Sequence, residues 1–337
     1  MSVSVSMRPS RTELLALTPA AAIQPRPQRY VGDSVAASIA ALHPADAAIV
    51  REIYGFLGEL YAVHGLAALR AHVDEAALTG LITRVRRLGA ALAADGLSLA
   101  LRKVYHDLRG GSLAALVMLL ADVAAGEAND QDADQIFLLV RDHRKIMRNA
   151  LPDLDPAGYA EDLCPREHDA ALLVQKWSGA TYQIGEAKKV AVEVDCDFAG
   201  GVSECCMEFA ALDRVIYNLI NNAARFTADG VVSFTALPIS GATATDLRFV
   251  IGNRVTEAQR ALLVRDLEGD LSRIFRGGYT TGGVGVGLQI CGDFITHGYG
   301  LSSVSAALRD GYLGARLIRD FFVAWFHWPA RRSGEQG

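Results

Sequence analysis

From about residue 35 to residue 165, apolar residues recur three and four positions apart, and Ala and Leu dominate. That is the spacing of amphipathic helices. Residues 47–69 and 75–94 form two candidate helices, and a long one runs from 98 to about 125. The polar stretch GEANDQD at 126–132 breaks the pattern, and a second helix follows over about 133–150, ended by Pro152 and Pro156. Two helices joined by a short polar loop predict an antiparallel hairpin. After about residue 168 the period changes. Val190, Val192, Val194, Cys196 and Phe198 alternate with Ala191, Glu193, Asp195 and Asp197, the pattern of a half-buried strand. Further strands are expected at 231–237, 247–251, 302–306 and 316–324, with helical patterns between them. The chain therefore divides into a disordered tail over 1–34 (punctuated by Pro9, Pro19, Pro25 and Pro27), a helical N-terminal region over 35–95, a hairpin over 96–165, a mixed sheet-and-helix domain over 166–330, and a short tail over 331–337.

Composition narrows the function classes. Of 337 residues, 51% are hydrophobic and 21% charged, which is ordinary for a globular protein and excludes a wholly disordered chain. Lys and Arg total 33 against 38 Asp and Glu, a formal net charge of −5, with no long block of like charge. A nucleic-acid or anionic-membrane binder is disfavoured. The longest apolar runs, such as 113–121, fall short of the ~20 residues of a bilayer span, and no signal-peptide pattern opens the chain. Five cysteines (Cys164, Cys196, Cys205, Cys206, Cys291) form no CxxC pair and no zinc spacing. They read as reduced thiols of a cytoplasmic protein. The N-terminal helical region, 35–95, is the place for a sensory input, although a spacer would have the same pattern.

Two segments carry candidate chemistry. Residues 274–288, IFRGGYTTGGVGVGL, hold six glycines (Gly277, Gly278, Gly282, Gly283, Gly285, Gly287) interleaved with Thr280 and Thr281, and an apolar helix pattern follows. Such a loop can turn backbone N–H groups toward phosphate oxygens, and the helix after it adds the positive end of its dipole. A flexible surface loop has the same composition. It is neither a Walker loop nor a Rossmann turn. In residues 212–227, LDRVIYNLINNAARFT, Leu212, Val215, Ile216, Leu219, Ala223 and Phe226 form one helical stripe. Asn218, Asn222 and Arg225 recur at i, i+4 and i+7 on a separate face, roughly 100° around the helix. Two amides and a guanidinium offer neutral oxygen ligands for Mg²⁺ and a cation for phosphate. A solvated polar face is the bland alternative.

The pair of motifs resembles the ATP-binding domain of sensor histidine kinases, the branch of the gyrase, MutL and histidine-kinase (GHKL) superfamily that phosphorylates histidine. The family N-box, roughly NLxxNAx[KR][FY][ST], is matched by NLINNAARFT. The family glycine box, FxxGx[ST][TK]G followed by GxGL, is matched by Phe275, Gly278, Thr280, Thr281, Gly282, Gly285, Gly287 and Leu288. A downstream helix ending in His-Gly is present at His297 and Gly298. The resemblance spans about residues 185–328 and implies a GHKL (Bergerat) α/β sandwich. It implies that Asn218 and Asn222 bind Mg²⁺, that Arg225 contacts phosphate, and that Thr280, Thr281, Gly282, Gly283, Gly285, Gly287 and Leu288 belong to the lid over ATP. ATP-hydrolysing members carry a glutamate general base where this chain has Asn218. A neutral amide cannot take a proton from water, so transfer to a residue is favoured over hydrolysis. The family's DxGxG box is absent. Asn253, in FVIGNRV, stands where its Asp would accept the adenine amino group, and its carbonyl oxygen accepts without charge assistance.

The hairpin adds a third resemblance. Tyr105-His106-Asp107-Leu108-Arg109 is similar to the H[DE]LR phosphoacceptor box of histidine-kinase dimerisation domains. Neutral imidazole accepts a phosphoryl group, and an adjacent carboxylate can orient it and take its proton. Leu101, Tyr105, Leu108, Ser112, Ala115 and Leu119 trace a seam at heptad-like spacing, with His106 beside it. His143, the rival among eight histidines, falls on the stripe Ile136, Val140, His143, Met147, Ala150 and reads as a buried or interface residue. Gly110 and Gly111 replace the family's usual proline, so the helix should bend near His106.

The resemblance implies a soluble, homodimeric kinase of α plus α/β class, in which two hairpins over 96–165 pair into a four-helix bundle. His106 accepts the γ-phosphate of Mg-ATP, Asp107 assists, and the phosphoryl group passes to the receiver domain of a separate response regulator. No nucleic acid or membrane span enters this reading. The alternative is a catalytically degenerate phosphotransferase or scaffold that keeps the kinase fold.

Overall fold

Ser10 opens the first helix, α1 (Arg11–Leu15): its hydroxyl accepts the Glu13 N–H, and the Glu13 carboxylate accepts the Ser10 N–H in return. The computed structural model describes residues 8–19, 22–24, 26, 30, 36–90, 98–110, 112–184, 188–240, 245–277 and 286–332. The chain divides into two units. One comprises Val31–Pro165 and Cys205–Tyr217, the other Met1–Tyr30, Arg166–Glu204 and Asn218–Gly337.

The first unit is helical. It holds α2 (Pro44–Ala62), α3 (Leu66–His72), α4 (Glu75–Arg87), α5 (Leu99–Arg109), α6 (Ser112–Ala125), α7 (Asp130–Ala150) and α8 (Pro156–Asp162). The pattern expected over 47–69 is split because Gly65, at φ 81°, starts α3 afresh. Ser98, Asp74 and Asn129 cap α5, α4 and α7 through their side chains. Val50, Ile53, Leu57, Val104, Leu108, Leu113, Leu116, Leu120, Val140 and Met147 are fully buried. Helix α7 lies against α2, α5 and α6, and α6 lies against α4. The helical region and the hairpin, separate in the sequence reading, thus share one core. Tyr105, Leu108, Ser112, Ala115 and Leu119 of the expected dimer seam are buried within a single chain.

The long helix expected from 98 to 125 is interrupted. It ends at Arg109 with Gly110 as its C-cap, and a new helix starts at Ser112. The stretch Leu99–Ala125 is apolar and long enough, by length and composition, to cross a membrane. The break leaves helices of 11 and 14 residues, each below the ~20 residues a span needs.

The second unit is built on a sheet. After β1 (Pro165–Asp169) and α9 (Ala171–Trp177) come β2 (Thr181–Ile184), β3 (Lys188–Cys196) and β4 (Gly200–Cys205). Helix α10 (Cys206–Phe226) follows, with the division between units falling after Tyr217. Next are β5 (Val231–Ser240), β6 (Thr245–Arg254), α11 (Glu257–Asp266), a 3₁₀ turn (Leu271–Arg276), α12 (Gly287–Gly298), α13 (Val304–Arg309), β7 (Leu313–Ile318) and β8 (Phe321–Arg332). The strand order is β1-β4-β8-β6-β5-β3-β2, with β7 also paired to β8. The pairs β2–β3, β5–β6, β6–β8, β7–β8 and β4–β8 are antiparallel, and β3–β5 is parallel. On one face Phe249 stacks on Phe234 and Phe326 at centroid distances of 6.0 and 5.0 Å. The strand expected at 302–306 is instead the start of α13, because the Ser303 hydroxyl caps the Ala306 N–H at 3.1 Å. The strand expected at 316–324 is a hairpin, β7–β8, turning at Arg319 with φ 58°.

The other face of the sheet is covered by the segment expected to be a disordered tail. Leu14 and Leu17 pack on Leu237, Val250, Val323 and Trp325. Arg248, fully buried, donates to the carbonyls of Leu14 (2.8 Å), Leu15 (2.6 Å) and Thr18, and through Nε to His327 Nε2 at 3.0 Å. Trp325 Nε1 donates to Thr18 Oγ1 at 3.1 Å. Arg8 pairs with Glu193 on β3, and Arg11 with Asp197 just after it. The packing of Leu14 and Leu17 and a buried guanidinium hold this segment, although its own sequence is too short and too polar to fold alone.

Candidate active site

The N-box residues sit on α10. Its buried positions Leu212, Val215, Ile216, Leu219, Ile220 and Ala223 are the stripe read from the sequence. Asn218 is 8% exposed, Asn222 is half-buried one turn later, and Arg225 is exposed with its guanidinium 5.7 Å from the Phe226 ring. Asn218 Nδ2 donates to the carbonyl of Gly287, the first residue of α12, at 3.3 Å. That contact joins the N-box to the end of the glycine box and commits the amide nitrogen, so the oxygen is the atom left to serve a ligand. Leu288 follows on α12. Gly278, Thr280, Thr281, Gly282, Gly283 and Gly285 lie outside the described residues.

Asn253 occupies the C-terminal end of β6, opposite Val232 of β5, and is 2% exposed. Its Nδ2 donates to the Arg254 carbonyl at 3.2 Å, and the same carbonyl accepts the Ala228 N–H at 2.8 Å. The loop leaving α10 is thereby tied to the strand end that carries Asn253. Gln259 Nε2 closes the last turn of α10 by donating to the Phe226 carbonyl at 3.0 Å. Among the described residues no group of three or more His, Cys, Asp and Glu could hold a metal ion. Asn218 and Asn222 could offer a Mg²⁺ ion two amide oxygens one helical turn apart, hard neutral ligands that suit an ion keeping phosphate and water in its shell.

His106 lies in the last turn of α5 with 23% of its side chain exposed. Its Nδ1 is 3.3 Å from Asp107 Oδ1. Asp107 is buried, and its other oxygen accepts from Arg214 Nη2 on α10. Burial by itself opposes ionisation of this carboxyl. The Arg214 charge and the His106 contact outweigh burial and hold it below the usual carboxylate range. The Gly110 N–H donates to the His106 carbonyl at 2.8 Å, ending the helix one turn after the histidine.

His143 is fully buried on α7, with Nδ1 2.9 Å from Ser112 Oγ. Burial lowers its pKa to about 4, against the opposing pull of Asp107. A buried, neutral imidazole is placed for packing rather than for taking a phosphoryl group. The residue that sequence reasoning missed is Arg214. Its one signal was position, four residues before Asn218 on the same helix, and its partner is 107 residues away.

No protein-family model matches the chain, and no curated protein matches it. Several solved structures are similar to it. The nucleotide-free catalytic domain of histidine kinase ThkA is 19% identical over 42% of this chain and 80% of that one, with a TM-score of 0.29. Full-length ShkA, in complex with AMPPNP, is 17% identical over 80% of this chain and 46% of that one, at 0.34. The histidine kinase domain of a blue-light activated histidine kinase from Erythrobacter litoralis is 12% identical over 83% and 93%, at 0.31.

Proposed function

We propose that this chain is a protein-histidine kinase of a two-component system that moves the γ-phosphoryl group of Mg-ATP onto His106. The observation that carries the reading is α10, which places Asn218 and Asn222 one turn apart and bonds Asn218 to Gly287 at the end of the glycine box. Asn218 and Asn222 would hold Mg²⁺, which neutralises phosphate charge as the transfer proceeds. Arg225 and the glycine box would receive the triphosphate, and Asn253 would accept from the adenine amino group.

In the transfer, the Nε2 lone pair of His106 attacks the γ-phosphorus and an N–P bond forms. The bond from that phosphorus to the β-γ bridging oxygen breaks, and its electron pair leaves with ADP. The imidazole gains positive charge, which the Asp107 carboxylate at Nδ1 stabilises. An aspartate on a separate receiver domain then takes the phosphoryl group and returns the imidazole to its neutral form. We place the protein in the cytoplasm, reading a cue through the helical unit.

The resemblance also implies a homodimer joined by a four-helix bundle. The seam residues for that bundle are already buried within one chain. Sedimentation velocity decides between a dimer and a self-contained monomer.

Purified protein given γ-labelled ATP should acquire acid-labile, alkali-stable label, lost in His106→Ala and kept in His143→Gln. Label that survives the first change overturns the assignment. A second reading, a scaffold without catalysis, is favoured by one observation, the neutral Asn253 in place of a carboxylate. Absence of Mg²⁺-dependent ATP binding in the millimolar range would select it.

A further inference from the structure

We propose that Arg214 is a positioning residue, holding the Asp107 carboxylate against the His106 ring so that Nδ1 keeps its proton and Nε2 faces outward as the nucleophile. The proposal rests on the reading of His106 as the acceptor. Adjacent residues on a helix project about 100° apart, so α5 alone does not turn Asp107 onto His106. A second anchor is needed, and the carboxylate has one: Oδ1 lies 3.3 Å from His106 Nδ1 while Oδ2 accepts from Arg214. Only 3% of the Asp107 side chain and 2% of the Arg214 side chain are exposed, so water does not compete for the pair.

The chemistry of the anchor matters. A guanidinium stays charged at any working pH and its planar fork fixes the plane of a carboxylate, whereas an ammonium is a single point of charge. An ionised carboxylate can only accept, so it selects the imidazole tautomer with hydrogen on Nδ1. That leaves the Nε2 lone pair for phosphorus. The titratable groups around Asp107 are His106 on its own helix, Arg214 on α10 and His143 on α7. Arg141, Asp142 and Asp213 form a further charged set between α7 and α10, with Arg141 Nε 3.0 Å from Asp142 Oδ1. Arg214 also stands one turn before Asn218, so the helix that carries the proposed Mg²⁺ ligands carries the anchor of the acceptor's carboxylate.

The test uses the full chain in Arg214→Gln, Arg214→Lys and Asp107→Asn forms. The ¹⁵N shifts of His106, read without nucleotide, should show the Nδ1–H tautomer in the wild type and a shift toward Nε2–H in Arg214→Gln. Initial labelling by ATP should fall tenfold to a hundredfold in Arg214→Gln with ATP affinity unchanged. The acid limb of its pH profile should move upward, as expected for a carboxylate deprived of its cation. Arg214→Gln placed in the Asp107→Asn background should cost little more. An Nε2–H tautomer in the wild type, or an equal loss from Arg214→Gln with and without Asp107, overturns the proposal. If Arg214→Gln does not fold, Arg214→Lys supplies the reading, with an intermediate rate supporting it and a wild-type rate overturning it. A wild type that takes no label sinks the kinase reading, while the tautomer result stands independently.

Discussion

Arg248 Nη1 donates to the carbonyl oxygen of Leu14 at 2.8 Å, joining positions 234 residues apart. The guanidinium has no carboxylate partner in this contact. It serves three main-chain carbonyls and His327, and burial lowers its pKa to about 10, so it stays charged at neutral pH. Arg248→Met would leave those acceptors buried without donors. The expected cost is about 3 kcal/mol, read as a lower urea midpoint. Protease cleavage within residues 8–30 should appear at the same time. Unchanged protection of that segment would mean that Leu14 and Leu17 hold it unaided.

Two buried histidines should make stability depend on pH. Burial lowers His327 to about 3, aided by Arg248, and His143 to about 4. Unfolded histidine takes its proton near pH 6.5. Below that value the unfolded chain binds protons that the folded chain refuses. Stability is then full above about pH 6.5 and falls by about 1.4 kcal/mol per pH unit for each histidine down to its folded pKa. Asp246 and Asp162, raised by burial, act in the opposite sense, so variants isolate the histidines. His327→Gln, which keeps an acceptor for Arg248, should flatten the slope of the unfolding free energy between pH 7 and 5 in denaturant titrations.

Gly110 ends α5 next to His106, the proposed acceptor. A Cβ at that position would lie 2.8 Å from the His106 carbonyl oxygen, a backbone atom. Gly110→Ala therefore displaces the His106 backbone. Labelling should fall about tenfold, a size typical of small misplacements at a reacting group, while ATP binding is unaltered. Equilibrium nucleotide binding and initial labelling rates, measured side by side, separate the two effects.

Asn253→Ala removes the proposed adenine acceptor. One neutral hydrogen bond is worth about 1–1.5 kcal/mol, so ATP affinity should drop about tenfold, and the preference for ATP over GTP should drop with it. A variant that binds both nucleotides as the wild type does would remove Asn253 from the site.

The local patterns were legible where they ran long enough. The stripe on α10 and the alternation on β3 appear where the periodicity puts them, and β5 and β6 cover the strands expected at 231–237 and 247–251. Residues 302–306 failed because five alternating positions do not distinguish a strand from the first turn of a helix, and the deciding contact is a single serine cap. The segment 8–30 reads as a tail because its apolar partners, Val250, Val323 and Trp325, lie far along the chain. Arg214 looked like one more polar position on an amphipathic helix. Its role depends on a carboxylate that only tertiary structure brings to it.

The covered sheet face has a consequence for how the molecule is made. Residues 8–18 leave the ribosome well before their partners: Arg248 and Trp325 follow Leu14 and Thr18 by 234 and 307 residues. At about 5–20 residues per second, the early segment waits roughly ten seconds to a minute for its partners. Residues 31–165 and 205–217, which make up the helical unit, are synthesised within that interval. The sheet unit is closed last, when β8 arrives, and a nascent chain stopped before Trp325 should expose Leu14 and Leu17 to chaperones. High contact order of this kind is slow to form. Translation rate over the second half of the message should therefore govern the yield of native protein more than its rate over the first.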